Sequence, residues 1–68
     1  MLVYVVLWRN DLGELEVHGV KSSYENALKT VLSLYENGEK TEDIDHCGED
    51  TIVYTNMYVY LIHRCVMD

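Results

Sequence analysis

The sequence predicts a single α+β domain over residues 1–68: an antiparallel sheet of three or four strands with one amphipathic helix on one face, in the order ββαββ or ββαβ. Three observations predict it. A β-branched and aromatic run opens the chain, apolar residues at helical spacing fill its middle, and a strand-like stretch runs from Thr51 to Val66. A core drawn from 68 residues holds little stability in reserve.

Leu2 to Arg9 reads as the first strand, about residues 2–9. Both of its alternating sets are apolar, with Leu2, Tyr4, Val6 and Trp8 on one side and Val3, Val5 and Leu7 on the other. Such a strand wants cover on both faces. Asn10-Asp11-Leu12-Gly13 is a turn in which Gly13 supplies the positive φ. The return strand, about 14–20, alternates Leu15, Val17 and Gly19 with Glu14, Glu16 and His18. If Arg9 pairs with Glu14, then Val3, Val5 and Leu7 share a face with Val20, His18 and Glu16; a bulge would reverse this.

A helix is expected over about 23–37. Ser22 and Glu25 have the spacing of a capping box. Behind them Tyr24, Ala27, Leu28, Val31, Leu32 and Tyr35 form one stripe, with Glu25, Asn26, Lys29, Thr30, Ser33 and Glu36 opposite. Glu25 and Lys29 form a favourable i,i+4 pair, and Asn37-Gly38 reads as the stop. The acidic, glycine-bearing segment 38–50 reads as a surface loop. An unbroken strand from Thr51 to Val66 would run to roughly 50 Å, longer than such a domain is wide. A break near Thr55-Asn56 therefore divides it into strands of about 51–55 and 57–66.

The net charge of −7 argues against nucleic acid and anionic membranes as direct partners and suits either a solubilised protein or one that binds a basic surface. The run from Leu2 to Trp8 is too short to span a bilayer. It follows Met1 without a basic region, so a signal peptide is not expected and a cytoplasmic location is. Cys47 and Cys65 are then expected as free thiols. Six tyrosines and one tryptophan, with no phenylalanine, suit either a half-wet binding face or a small sheet that uses tyrosine as a strand former.

The run Val17, Gly19-Val20, Ser22-Ser23, Glu25 and Ala27, behind a short N-terminal hairpin, resembles a recurrent type of small phage-encoded protein. Proteins of that type join a hairpin to one helix behind an S-S-x-E-x-A opening and return through a strand near the C-terminus. The resemblance covers roughly the first half of the chain. It implies an origin in a mobile element and action on a component of the host, in the host cytoplasm.

Two surfaces are expected to carry function. One helix can shield one face of the sheet, which leaves an apolar face of Val3, Val5, Leu7, Tyr58 and Tyr60 in need of a partner. That partner is either a second copy, giving a homodimer, or another protein. The carboxylates Glu36, Glu39, Glu42, Asp43, Asp45, Glu49 and Asp50 can present phosphate-like charge to a basic groove. Together with the resemblance, they suggest an inhibitor of a nucleic-acid-binding host defence or repair enzyme, of the anti-CRISPR or anti-restriction kind. The alternative is a homodimeric structural or regulatory module. A more remote one is zinc held by His46, Cys47, His63 and Cys65, whose spacings depart from the usual ligand patterns. No nucleophile elbow, phosphate loop or carboxylate pair marks an enzyme, and no cofactor is expected.

Overall fold

The β-branched opening run extends as strand β1 (Leu2–Arg9), and it folds back into β2 (Leu15–Lys21). A ten-residue helix α1 (Tyr24–Ser33) follows, then β3 (Thr41–Cys47), β4 (Asp50–Thr55) and β5 (Val59–Val66). This computed structural model describes residues 1–9 and 12–67, so Asn10 and Asp11 of the expected first turn lie outside the described residues. Gly13 has the expected positive φ, at +83°. The fold is α+β, but the antiparallel sheet has five strands rather than three or four, ordered β2-β1-β5-β4-β3. The helical connection from β2 to β3 joins the two edges, so it must cross one whole face of the sheet.

The added strand comes from the segment expected to be a loop. Gly48 has φ +62° at the first of two residues linking Cys47 to Asp50, where a two-residue hairpin of type II′ needs glycine. β3 is exposed along its whole length and lies on an edge. Its Glu42, Asp43 and Asp45 charge that edge against pairing with another chain.

The break between β4 and β5 falls where length required it. The Thr55 backbone N–H donates to the Tyr58 carbonyl at 3.0 Å. The Thr55 hydroxyl accepts from the N–H groups of Met57 and Tyr58 at 3.2 and 2.8 Å. A single threonine thus closes the turn from both directions.

The helix is shorter than predicted at both ends. Ser23, not Ser22, is the N-cap; it is extended (φ −141°, ψ 152°), and its hydroxyl accepts from Asn26 N–H at 3.2 Å. The other end stops at Ser33 rather than near Asn37, because the chain is captured there. The Glu36 N–H donates to the Glu39 carboxylate at 2.9 Å, while the Glu39 N–H donates to the Glu36 carbonyl at 2.9 Å. Gly38, at φ +87°, makes that turn possible. Ala27 and Val31 face the sheet and are fully buried, with Tyr24, Leu28, Leu34 and Tyr35 packed beside them. Leu32, expected on this stripe, is half exposed, and Leu34 takes a core place instead.

Beneath the helix, Val6 of β1, Val53 of β4 and Tyr60 and Ile62 of β5 complete the core. Residues opposite one another on antiparallel strands share a face, so these four fix the face of every other strand residue. Tyr4, Trp8, Thr51 and Thr55 lie on the helix side. The other face carries Val3, Val5, Leu7, Ile52, Tyr54, Val59, Leu61, His63 and Cys65.

Candidate functional site

The face without the helix is built by register. A bulge between Val6 and Leu7 leaves His18 as the extra residue of β2, since Val6 faces Gly19 while Leu7 faces Val17. This shifts β2 by one residue midway, so Val20, Val17 and Leu15 all join Val5, Leu7 and Arg9 on the open face. Glu16 and His18, expected there, sit on the helix side instead, where the His18 ring meets Trp8 edge to face at 5.5 Å between centroids. Leu15, Val17 and Val20 are more than half exposed, at 58, 64 and 53%. Val5, Leu7, Ile52, Val59 and Leu61 are half-buried. A shallow depression of about 340 Å³ runs between Leu15, Ile52, Tyr54, Val59 and Leu61, with Arg9 at its border.

The expected apolar site needs three corrections. Tyr60 is 2% exposed and belongs to the core under the helix, and Tyr58 lies on the same covered side. Their places on the open face are taken by Val59 and Leu61, because β5 pairs Leu7 with Leu61 and Arg9 with Val59. Val3 does lie on the open face but is 5% exposed, so it supplies no contact surface.

The carboxylates divide into three groups. Asp43 and Asp45 of the edge strand lie opposite Tyr54 and Ile52, on the open face. Glu42 at the β3 irregularity and Glu49 in the hairpin turn are exposed beside them. Asp50 is on the same face but engaged, with its carboxylate 2.5 Å from His63 Nδ1. Glu36 stands apart, exposed just beyond the helix with both oxygens 3.5 Å from the Tyr58 hydroxyl.

Glu39 is the exception to the acidic surface, at only 8% exposed. One carboxylate oxygen accepts from the Tyr60 hydroxyl at 3.1 Å and from the Glu36 N–H at 2.9 Å. The other accepts from the Thr55 hydroxyl at 2.6 Å. Asn56 reinforces the junction: its side-chain oxygen accepts from Lys40 N–H at 2.7 Å, and its amide donates to the Gly38 carbonyl at 3.3 Å. Glu39 is therefore an internal clamp joining the end of the helix to the β4–β5 turn, and not part of a partner surface.

The clamp makes a pH prediction. Burial, then the hydrogen bond to Glu39, pushes the Tyr60 phenol well above the ordinary tyrosine value. The folded state therefore holds this proton more tightly than the unfolded chain does. Its contribution is complete below about pH 10 and is lost as pH rises above that. The melting temperature is expected to fall steadily between about pH 10 and 12, and Tyr60→Phe to flatten that slope. An unchanged slope in Tyr60→Phe would place the linked proton elsewhere.

The four candidate zinc ligands do not converge. His46 lies on the helix side opposite Thr51, whereas Cys47, His63 and Cys65 lie on the open face. Among the described residues no three metal-binding side chains form a group, and no helix is long and apolar enough to cross a membrane. No protein-family model matches the chain, and no curated protein or solved structure matches it either.

Proposed function

We propose that this chain is a non-catalytic binding module that docks through its open sheet face onto a protein whose apolar patch is edged by basic residues. The reading extends to inhibition: the module occupies a groove that a host defence or repair enzyme uses for nucleic acid, in keeping with the resemblance of its first half to small phage-encoded proteins. One observation carries it. Asp43 and Asp45 share the open face with Ile52, Tyr54, Val59 and Leu61, so charge and apolar anchor address the same partner surface.

The physical division of labour follows from that arrangement. Alternate residues on an extended strand stand about 7 Å apart, so Asp43 and Asp45 present a short row of repeated negative charge. Such a row steers a basic groove into contact, while the apolar centre slows departure. Five strands of six to eight residues span roughly 500 Å² of sheet face, charged and apolar residues together. It is of the same order as the roughly 800 Å² of accessible surface each partner contributes to a stable interface.

The test is capture on the immobilised chain from host lysate, followed by salt titration of the purified nucleic-acid-binding protein retained. Affinity is expected to fall as salt rises. Replacing Glu42, Asp43, Asp45 and Glu49 by their amides is expected to weaken binding roughly ten- to hundredfold, mainly through slower association. Equal affinity of wild type and variant would refute the charge-guided reading. The exposed Leu15, Val17 and Val20 on edge strand β2 favour a second reading, stacking of two copies by their open faces. Light scattering separates the two readings, because stacking requires a mass that doubles with concentration in the chain alone.

A further inference from the structure

On the covered side of the sheet, away from the open face, the end of β1, the start of β5 and the chain beyond α1 enclose a recess of about 160 Å³. It is lined by Trp8, His18, Leu34, Glu36, Tyr58 and Tyr60. Its walls are aromatic and set at steep angles to one another. Trp8 and Tyr58 meet at 5.4 Å between centroids with their planes 82° apart, Trp8 and His18 at 5.5 Å and 61°, and Tyr58 and Tyr60 at 6.5 Å and 74°. Glu36 stands at the rim with its carboxylate beside the Tyr58 hydroxyl. Neither lysine nor arginine is among the lining residues.

We propose that this recess binds a quaternary or methylated ammonium head group, with Trp8 and Tyr58 as the principal walls and Glu36 as counter-charge. The faces of aromatic rings are negative, and tryptophan attracts a cation most strongly. Alkylation strips an ammonium of much of its water, so it exchanges solvent for ring faces at little cost. A bare lysine ammonium is strongly hydrated and does not. Rings set near right angles to one another offer a guest more than one ring direction, which a parallel stack does not. The volume is close to that of cavities of about 150 Å³ that admit a benzene-sized guest.

Two of the aromatic residues are tied to the fold before any ligand arrives, Tyr60 by its hydroxyl and Tyr58 by its backbone. Glu39 holds the Tyr60 hydroxyl, and the Thr55 hydroxyl holds the backbone of Tyr58. Binding therefore spends little on ordering them. Trp8 also carries the one buried side-chain nitrogen or oxygen among the described residues that lacks a hydrogen-bond partner, its Nε1.

Trp8 is the only tryptophan in the chain, so its emission reports on the recess directly. The folded protein is titrated at constant ionic strength with choline, with a trimethyl-lysine peptide, with the same peptide unmethylated, and with the neutral tert-butyl analogue of choline. A saturable change is expected with the methylated ammonium ligands, with the neutral and unmethylated forms weaker by roughly three- to thirtyfold. Glu36→Gln, at an exposed position, is expected to weaken binding several-fold without moving the melting curve. Trp8→Phe, followed by calorimetry, is expected to weaken it as well. A clear preference for the peptide assigns the head group to a protein side chain, and equal binding of choline assigns it to a free small molecule. The proposal is overturned if no ammonium ligand saturates, if the neutral analogue binds equally well, or if Glu36→Gln leaves affinity unchanged.

Discussion

Glu39→Ala is expected to lower stability by about 3 kcal/mol, a large share of the roughly 3–10 kcal/mol available to a domain of this size. The carboxylate is buried and receives the Tyr60 hydroxyl, the Thr55 hydroxyl and the Glu36 N–H. Removing it deprives three donors of their acceptor at once, and a buried donor left unpaired costs about 1–3 kcal/mol. The Thr55 hydroxyl recovers part of the loss, since the Tyr58 carbonyl lies 3.0 Å away. Tyr60 has no such recourse among the contacts seen. Thermal melting should fall by about 12–24 °C, at about 4–8 °C for each kcal/mol in a domain of this length. Glu39→Gln keeps one acceptor oxygen for Tyr60 and the Glu36 N–H while its amide meets Thr55, so about half the loss is expected. A loss below about 0.5 kcal/mol, the ordinary range for surface substitutions, would return Glu39 to the acidic surface.

That clamp was invisible in the sequence for a definite reason. Glu39 is followed by Lys40 inside a polar, acidic stretch, and its partners Thr55 and Tyr60 lie 16 and 21 residues further on. Local pattern reports periodicity, whereas the burial of a lone carboxylate is decided by donors that only the folded chain brings near. β3 was hidden differently. Asp43 and Asp45 are poor strand formers, and an edge strand exposed along both faces shows no burial pattern. The legible trace was Gly48, placed for a two-residue hairpin between residues that then pair as Cys47 with Asp50 and His46 with Thr51.

The uncovered face was legible in kind but not in membership. Apolar residues on both sides of β1, with one helix to cover them, already implied an open side. A strand's period of two divides its residues into two sets without saying which set meets the helix. That choice rests on the pairing of β1 with β5, which puts Tyr60 beside Trp8 and Leu61 beside Leu7. The bulge at His18 then inverted the alternation halfway along β2 and placed Leu15 and Val17 with Val20. One extra residue changed which side chains the sheet presents.

Neighbouring residues on β5 offer the sharpest check of this two-sided arrangement. Ile62 is 1% exposed, in the core against Val6 and beneath Ala27 and Val31, whereas Leu61 points to the open face and is half-buried. Ile62→Ala is expected to cost about 3–4 kcal/mol, because it removes buried surface and leaves a cavity that a helix-capped core cannot collapse to fill. Leu61→Ala removes a side chain of similar volume that solvent already reaches, and a cost of about 1 kcal/mol is expected. Urea unfolding of both variants beside wild type measures the difference, with similar slopes confirming that the unfolded states are comparable. If Leu61→Ala costs as much as Ile62→Ala, the outer face is sealed in the free chain, and no unsatisfied apolar surface remains there to recruit a partner. If the costs separate as expected, the residues on that face contribute little to folding, and their apolar character is left to be explained by binding.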